Sequence, residues 1–226
     1  MQGGKGVSRE VVSIRTPSVL EFAGSQGEVF YGADQEWFNR VWQRIAGCGP
    51  TAAASLLWYL ACTRPECAGL APEAPAVSRD ASKEASKKAM LAHMETVWQY
   101  VKPGIYGVNR TNIFRDGVLR FGADRGIPLA VEVLDVPPGI ENRPDRGKTA
   151  AFLTEALTKD LPPAFLNLAK GKENRLENWH WVTMTAFCSE TMTGWCYDQG
   201  AHREFDMALW LETSSQGGGF VTVRNR

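Results

Sequence analysis

The chain has 226 residues, 44% hydrophobic and 22% charged, which suits a folded globular protein and argues against global disorder. Its 25 Lys and Arg balance 25 Asp and Glu. No basic surplus is left to track a phosphate backbone, so nucleic acid is not an expected partner. The longest apolar run lies within residues 44–61. It falls short of the ~20 residues a bilayer needs, so no membrane partner is expected either. The opening residues, MQGGKGVSREVVSIRT, lack an apolar signal core, which points to the cytoplasm. Five cysteines, Cys48, Cys62, Cys67, Cys188 and Cys196, are an odd number for a disulfide framework. Cys62 and Cys67 pair only if the compartment is oxidising. No CxxC pair occurs and the three histidines lie far apart, so neither a metal nor a cofactor is expected.

Two short extended patches come first, EVVSIRT and GEVFYG. In DQEWFNRVWQRI, residues Trp37, Val41, Trp42 and Ile45 recur at helical spacing and predict a short helix. Gly47-Cys48-Gly49-Pro50 then reads as a turn into a second helix. Proline suits the first helical turn, where its missing N–H costs nothing. The run TAAASLLWYLA is apolar almost all round, which predicts a central, buried helix. Residues 62–77 read as a Pro-rich loop. Ser78 reads as the N-cap of a long helix reaching about Val101, with an apolar face of Ala85, Ala89, Met94, Val97, Trp98 and Val101.

TNIFRDGVLRFGAD reads as a helix closed by Gly126, IPLAVEVLDV as a strand, 137–147 as a loop, and KTAAFLTEALTKD as an amphipathic helix. After Pro162-Pro163 the character changes. PAFLNLA, WHWVTMTAF, GWCYD and FVTVRN read as short strands, with DMALWLETSS as a helical insertion capped by Asp206. Helices first and antiparallel strands last make an α+β pattern. The expected organisation is one domain over 1–226, helical over about 31–160 and sheet over about 161–226.

Cys48 has two readings. Free cysteines are often small buried hydrophobes. A thiol at a helix N-terminus, however, feels the positive end of the helix dipole, which favours the nucleophilic thiolate. Such a nucleophile needs a base. His93 lies within the long charged helix and reads as a helix-face residue, and His202 reads as part of a turn. His180 begins a strand between Trp179 and Trp181, whose rings are expected to wall it from water. It shares an alternating face with Val182, Met184 and Ala186. Asp198, eighteen residues beyond His180 at the end of the next strand, is placed by a hairpin where it can orient the imidazole; its other reading is a turn residue. The Cys48 N–H is one donor for a developing oxyanion, and Gln35 or Gln43 is the candidate for a second.

The segments GCGPTAAASLLWYL and HWVTMTAF, with Asp198 in the following strand, resemble papain-like cysteine peptidases, and more closely the bacterial C39-like branch. The resemblance runs from about residue 31 to 226. It implies a papain-like α+β fold, in which a central nucleophile helix of a helical lobe packs against an antiparallel sheet lobe. It also implies a thiol hydrolase acting on a peptide or amide substrate, with Cys48 as nucleophile, His180 as general acid and base, and Asp198 as the orienting group. An acyltransferase, or an inactive binding module on the same scaffold, are the alternatives. The family's oxyanion glutamine falls at Trp42 here, one residue from Gln43, while Gln35 needs a longer connection. The family's orienting Asn falls at Tyr197, one place before Asp198.

Overall fold

The computed structural model describes residues 10–23, 27–74 and 83–226. Ser78 and the side chain of Ala85 lie outside the described residues. In chain order the elements are β1 (Val11–Ser13), β2 (Glu21–Ala23), β3 (Val29–Tyr31), α1 (Val41–Ala46), α2 (Cys48–Thr63), α3 (Lys83–Trp98), α4 (Thr111–Asp124) and β4 (Leu129–Val136). There follow α5 (Arg146–Thr158), β5 (Ala164–Asn167), β6 (His180–Cys188), β7 (Thr193–Asp198), β8 (Ala201–Asp206), α6 (Met207–Thr213) and β9 (Gly218–Asn225). Short 3-10 turns at Pro17–Leu20, Gln35–Trp37, Pro65–Leu70 and Ile140–Asn142 join several of them. The class is α+β, with helices packed on an antiparallel sheet.

The main sheet runs β4-β9-β5-β6-β7-β8, all antiparallel, and β1 pairs with the far half of β6. It is therefore wider than 161–226, because β1 and β4 join it from the N-terminal part. Strand β6 is the hinge of the sheet. Its first half pairs β5, its second half pairs β1, and β7 flanks its other edge. A bulge between Met184 and Ala186 breaks the register with β7. The simple alternation expected on this strand ends there.

Helix α2 lies at the centre as its composition predicts. Every residue from Gly49 to Leu60 is buried. It packs on α3 and α4 and on β5, β6 and β9. The glycines beside Cys48 serve close packing. A Cβ on Gly49 would sit 2.6 Å from Val108, and one on Gly47 would meet the Gln43 carbonyl at 2.2 Å and the Phe38 ring at 2.9 Å. Both contacts lie far inside van der Waals range, so only glycine lets these neighbours approach.

Several expectations need correction. The helix predicted from residue 34 is shorter and splits into a 3-10 turn and α1. Its apolar residues Val41, Trp42 and Ile45 are exposed rather than buried. Of the predicted 62–77 loop, residues 75–77 lie outside the described residues, and 62–74 are partly helical, since α2 reaches Thr63 and a 3-10 turn follows. His93 is no surface residue. Its ring is fully buried between Trp58 and Phe121, each 5.8 Å away. Burial, helped by the charge of Arg125, pushes its pKa down to about 3, so it is neutral. His202 belongs to β8, which the sequence pattern did not reveal. Asp206 does cap α6, accepting from Leu209 N at 2.9 Å.

A buried carboxylate ties the helical layer to the chain's start. Asp160 accepts from Tyr59 Oη at 2.5 Å and from Arg15 N at 2.7 Å, and pairs with Arg64 at 3.3 Å. Hydrogen bonds to a charged group are worth about 1.5–3 kcal/mol when lost. Asp160→Ala is expected to lower the unfolding free energy by about 3 kcal/mol, and Tyr59→Phe by about 2 kcal/mol, in urea denaturation.

Candidate active site

Cys48 is the first residue of α2, following Gly47 without a capping side chain. At this position its N–H has no intrahelical acceptor and points out of the helix end. The thiol is partly exposed, and Sγ lies 3.9 Å from the Trp179 carbonyl. Trp179 adopts φ +55°, a left-handed conformation unusual for a large side chain. This turn delivers the chain into β6 and places His180 next to Cys48.

His180 is buried, and its Nε2 lies 2.6 Å from Asp198 Oδ1. The hairpin that brings them together is tight. Asp198 pairs with Ala201 across Gln199 and Gly200, both at positive φ, as a two-residue type I′ turn requires. Asp198 Oδ2 lies 3.1 Å from Arg203 Nε on β8, so each carboxylate oxygen faces a cation or potential cation. The neighbouring Tyr197 donates instead to Glu21 Oε1 at 3.0 Å. With Nε2 committed to Asp198, Nδ1 is the nitrogen left for the thiol.

Burial alone works against a charged His180. The hydrogen bond and charge of Asp198, joined by those of Cys48, overcome it and raise the imidazole pKa from 6.5 to about 10. The ring is therefore an imidazolium at neutral pH.

The two glutamines separate cleanly. Gln35 lines a small polar chamber with Cys48, Thr51, His180 and Asp198. The chamber, about 20 Å³, has room for little more than one oxygen-sized group. Gln35 Nε2 donates to the Arg44 carbonyl at 2.7 Å, which fixes the amide orientation and leaves its second N–H free. Gln43 is buried elsewhere, with Nε2 bound to Glu95 Oε2 at 2.6 Å. The structure thus brings Cys48, His180, Asp198 and Gln35 together and leaves Gln43 out.

Trp181 does not shield the imidazole with its ring. The ring stacks on Phe114 at 4.5 Å, and Nε1 donates to the Val108 carbonyl at 2.5 Å. Trp179 is half-exposed beside the thiol.

Two supporting residues escaped the sequence reading. Arg203 was hidden because DQGAHREF reads as a turn; recognising β8 would have set Arg203 opposite Cys196, beside Asp198. Asn167 pairs across the sheet with His180, accepts from Trp210 Nε1 at 2.7 Å, and donates to the Glu177 carbonyl at 2.5 Å. It pins the loop entering β6, and nothing in the local sequence marks that role.

All five cysteines are free thiols. Burial raises the pKa of Cys62 to about 11 and raises those of Cys67 and Cys196 as well. Among the described residues, no group of three or more His, Cys, Asp or Glu is placed to hold a metal ion. No helix there is long and apolar enough to cross a membrane. No protein-family model matches the chain, and no curated protein matches it significantly.

The raised His180 pKa has a signed consequence for stability. The folded protein holds a proton that the unfolded chain releases above about pH 6.5. That contribution is full below about 6.5 and is lost as pH rises through about 10. Other thiols and tyrosines titrate in the same range, so the informative quantity is a difference. With the thiol removed, so that the His180 proton is counted alone, unfolding free energy from urea melts between about pH 6.5 and about pH 9.5 should fall more steeply for Cys48→Ser than for the Cys48→Ser, Asp198→Asn double variant.

Proposed function

We propose that this protein is a thiol hydrolase of the papain-like class, cleaving an amide or peptide bond through a Cys48 acyl-enzyme. The observation that carries the reading is the meeting of four groups at one chamber: the Cys48 thiol at a helix N-terminus, the His180–Asp198 pair at 2.6 Å, and the Gln35 amide. The order Cys48, His180, Asp198 along the chain agrees with the resemblance to papain-like and C39-like peptidases.

In this scheme the cycle starts from the Cys48 thiolate beside an already protonated His180, and Asp198 stabilises that imidazolium. Sγ attacks the carbonyl carbon, and the displaced electron pair moves onto oxygen. The Cys48 N–H and the free N–H of Gln35 hold that oxyanion. Collapse expels the amine, which receives the proton from His180, and leaves a thioester on Cys48. Water then attacks the thioester and gives a proton to His180. The second collapse releases the acid and restores the thiolate–imidazolium pair. Asp198 and Arg203 keep one ring orientation through both halves.

Two outcomes test this function. Cys48→Ala should lose labelling by an iodoacetamide or epoxide thiol probe at neutral pH, read by peptide mass mapping; equal labelling of native and variant protein would refute the nucleophile. Gln35→Ala should lower kcat by about 10²–10³-fold with little change in KM. Gln43→Ala, in contrast, should disturb stability through Glu95 and leave kcat within a few-fold.

A further inference from the structure

Helix α2 carries two hydroxyls in its N-terminal half, and they behave differently. Ser55 takes the local option open to a helical serine or threonine and donates to the carbonyl four residues back, that of Thr51, at 3.0 Å. Thr63, Thr96 and Thr213 do the same at 2.7, 2.9 and 2.6 Å. Thr51 does not. It is 7% exposed, and its Oγ1 is buried with no partner in the protein. Gln35 presents a second such atom. Its Nε2 donates to the Arg44 carbonyl, while its Oε1 is buried and unpaired. Both residues line the polar chamber beside Cys48 and His180. Buried oxygens without hydrogen bonds carry a desolvation cost that folded proteins rarely tolerate. One of these is a hydroxyl, able to donate; the other is a carbonyl, able only to accept. The chamber, about 20 Å³, exceeds the roughly 10–15 Å³ that one water molecule needs. Ser55 and Asp198 also line it and offer further acceptors.

We propose that the chamber is a binding site for one water molecule, which accepts from Thr51 Oγ1 and donates to Gln35 Oε1, and that Thr51 is thereby a positioning residue for the Gln35 amide. The amide is then held at both ends, its nitrogen on the Arg44 carbonyl and its oxygen on the water. A planar group fixed at two points cannot swing, so its second N–H keeps one direction. The water addresses the oxygen end of the amide and an oxyanion the nitrogen end. The consequence for catalysis rests on the thiol-hydrolase reading; the water and its two partners do not.

The test compares native protein with Thr51→Val and Thr51→Ser. Nuclear magnetic resonance of protein with isotope-labelled glutamine side chains should show a rotating-frame Overhauser contact between a long-lived water and the Gln35 Nε2 protons. In Thr51→Val that contact should vanish and the melting temperature should fall by about 2–4 °C, because the Gln35 oxygen and the water lose their partner. Thr51→Ser keeps a hydroxyl and should keep the contact. Against an amide that native protein cleaves, Thr51→Val should lower kcat about tenfold with KM within about twofold, and Thr51→Ser should stay within about threefold of the native kcat. An unchanged or raised melting temperature in Thr51→Val would overturn the proposal, since deleting a hydroxyl that has no partner at all stabilises a core. Absence of the water contact in native protein, its survival in Thr51→Val, its loss in Thr51→Ser, or equal kcat in native protein and Thr51→Val would also overturn it. The native measurement decides even where a variant fails to fold. If native protein cleaves no amide, the thiol-hydrolase reading falls, while the water contact and the melting temperatures still test the bridge.

Discussion

The contact on which the site depends is a short hydrogen bond in a buried place, His180 Nε2 to Asp198 Oδ1 at 2.6 Å. A charged imidazole is costly to bury, and burial alone would keep it neutral. His93 shows that outcome within the same protein: buried between aromatic rings with no carboxylate beside it, it is driven down to about 3. His180, equally enclosed, is driven up to about 10. The Asp198 neighbour, joined by Cys48, reverses the sign. The two-residue turn at Gln199-Gly200, the β6–β7 pairing and Arg203 from β8 all serve to hold that neighbour in place.

Helix α2 supplies the other half. It is a packing element first, buried along nearly its whole length against helices and sheet. Its burial fixes where its N-terminus lies. Gly47 and Gly49 let Phe38 and Val108 close on either side of Cys48, so the sulfur stands at a defined point between a polar chamber and an apolar groove. Core packing and the candidate site thus meet in a single turn of helix, where the peptide dipoles favour negative charge.

Much of this was legible in the sequence, and the reasons differ by element. The apolar run after Pro50 had one interpretation, a central helix. The strands after Pro163 carried clear β-branched and aromatic signatures, and the Asp-Gln-Gly turn placed Asp198 within reach of His180. What was hidden depends on tertiary contacts. Gln35 and Gln43 are equivalent in local pattern; only the Arg44 carbonyl and the Glu95 carboxylate, reached through packing, tell them apart. Trp42 and Ile45 have the periodicity of a buried face, yet they line an open groove. His93 sits among lysines in sequence and among aromatic rings in space. Strand β8 was obscured because Ala201–Asp206 alternates half-buried with exposed residues and lacks a hydrophobic signature.

Asp198 and Cys48 together keep His180 charged. The direct measurement is a nuclear magnetic resonance titration of the His180 ring nitrogens in the native protein and in Cys48→Ser. The native imidazolium is expected to persist well above pH 7 and release its proton toward pH 10, with a lower midpoint once the thiol is replaced. A native midpoint near the ordinary 6.5, unchanged by Cys48→Ser, would contradict it.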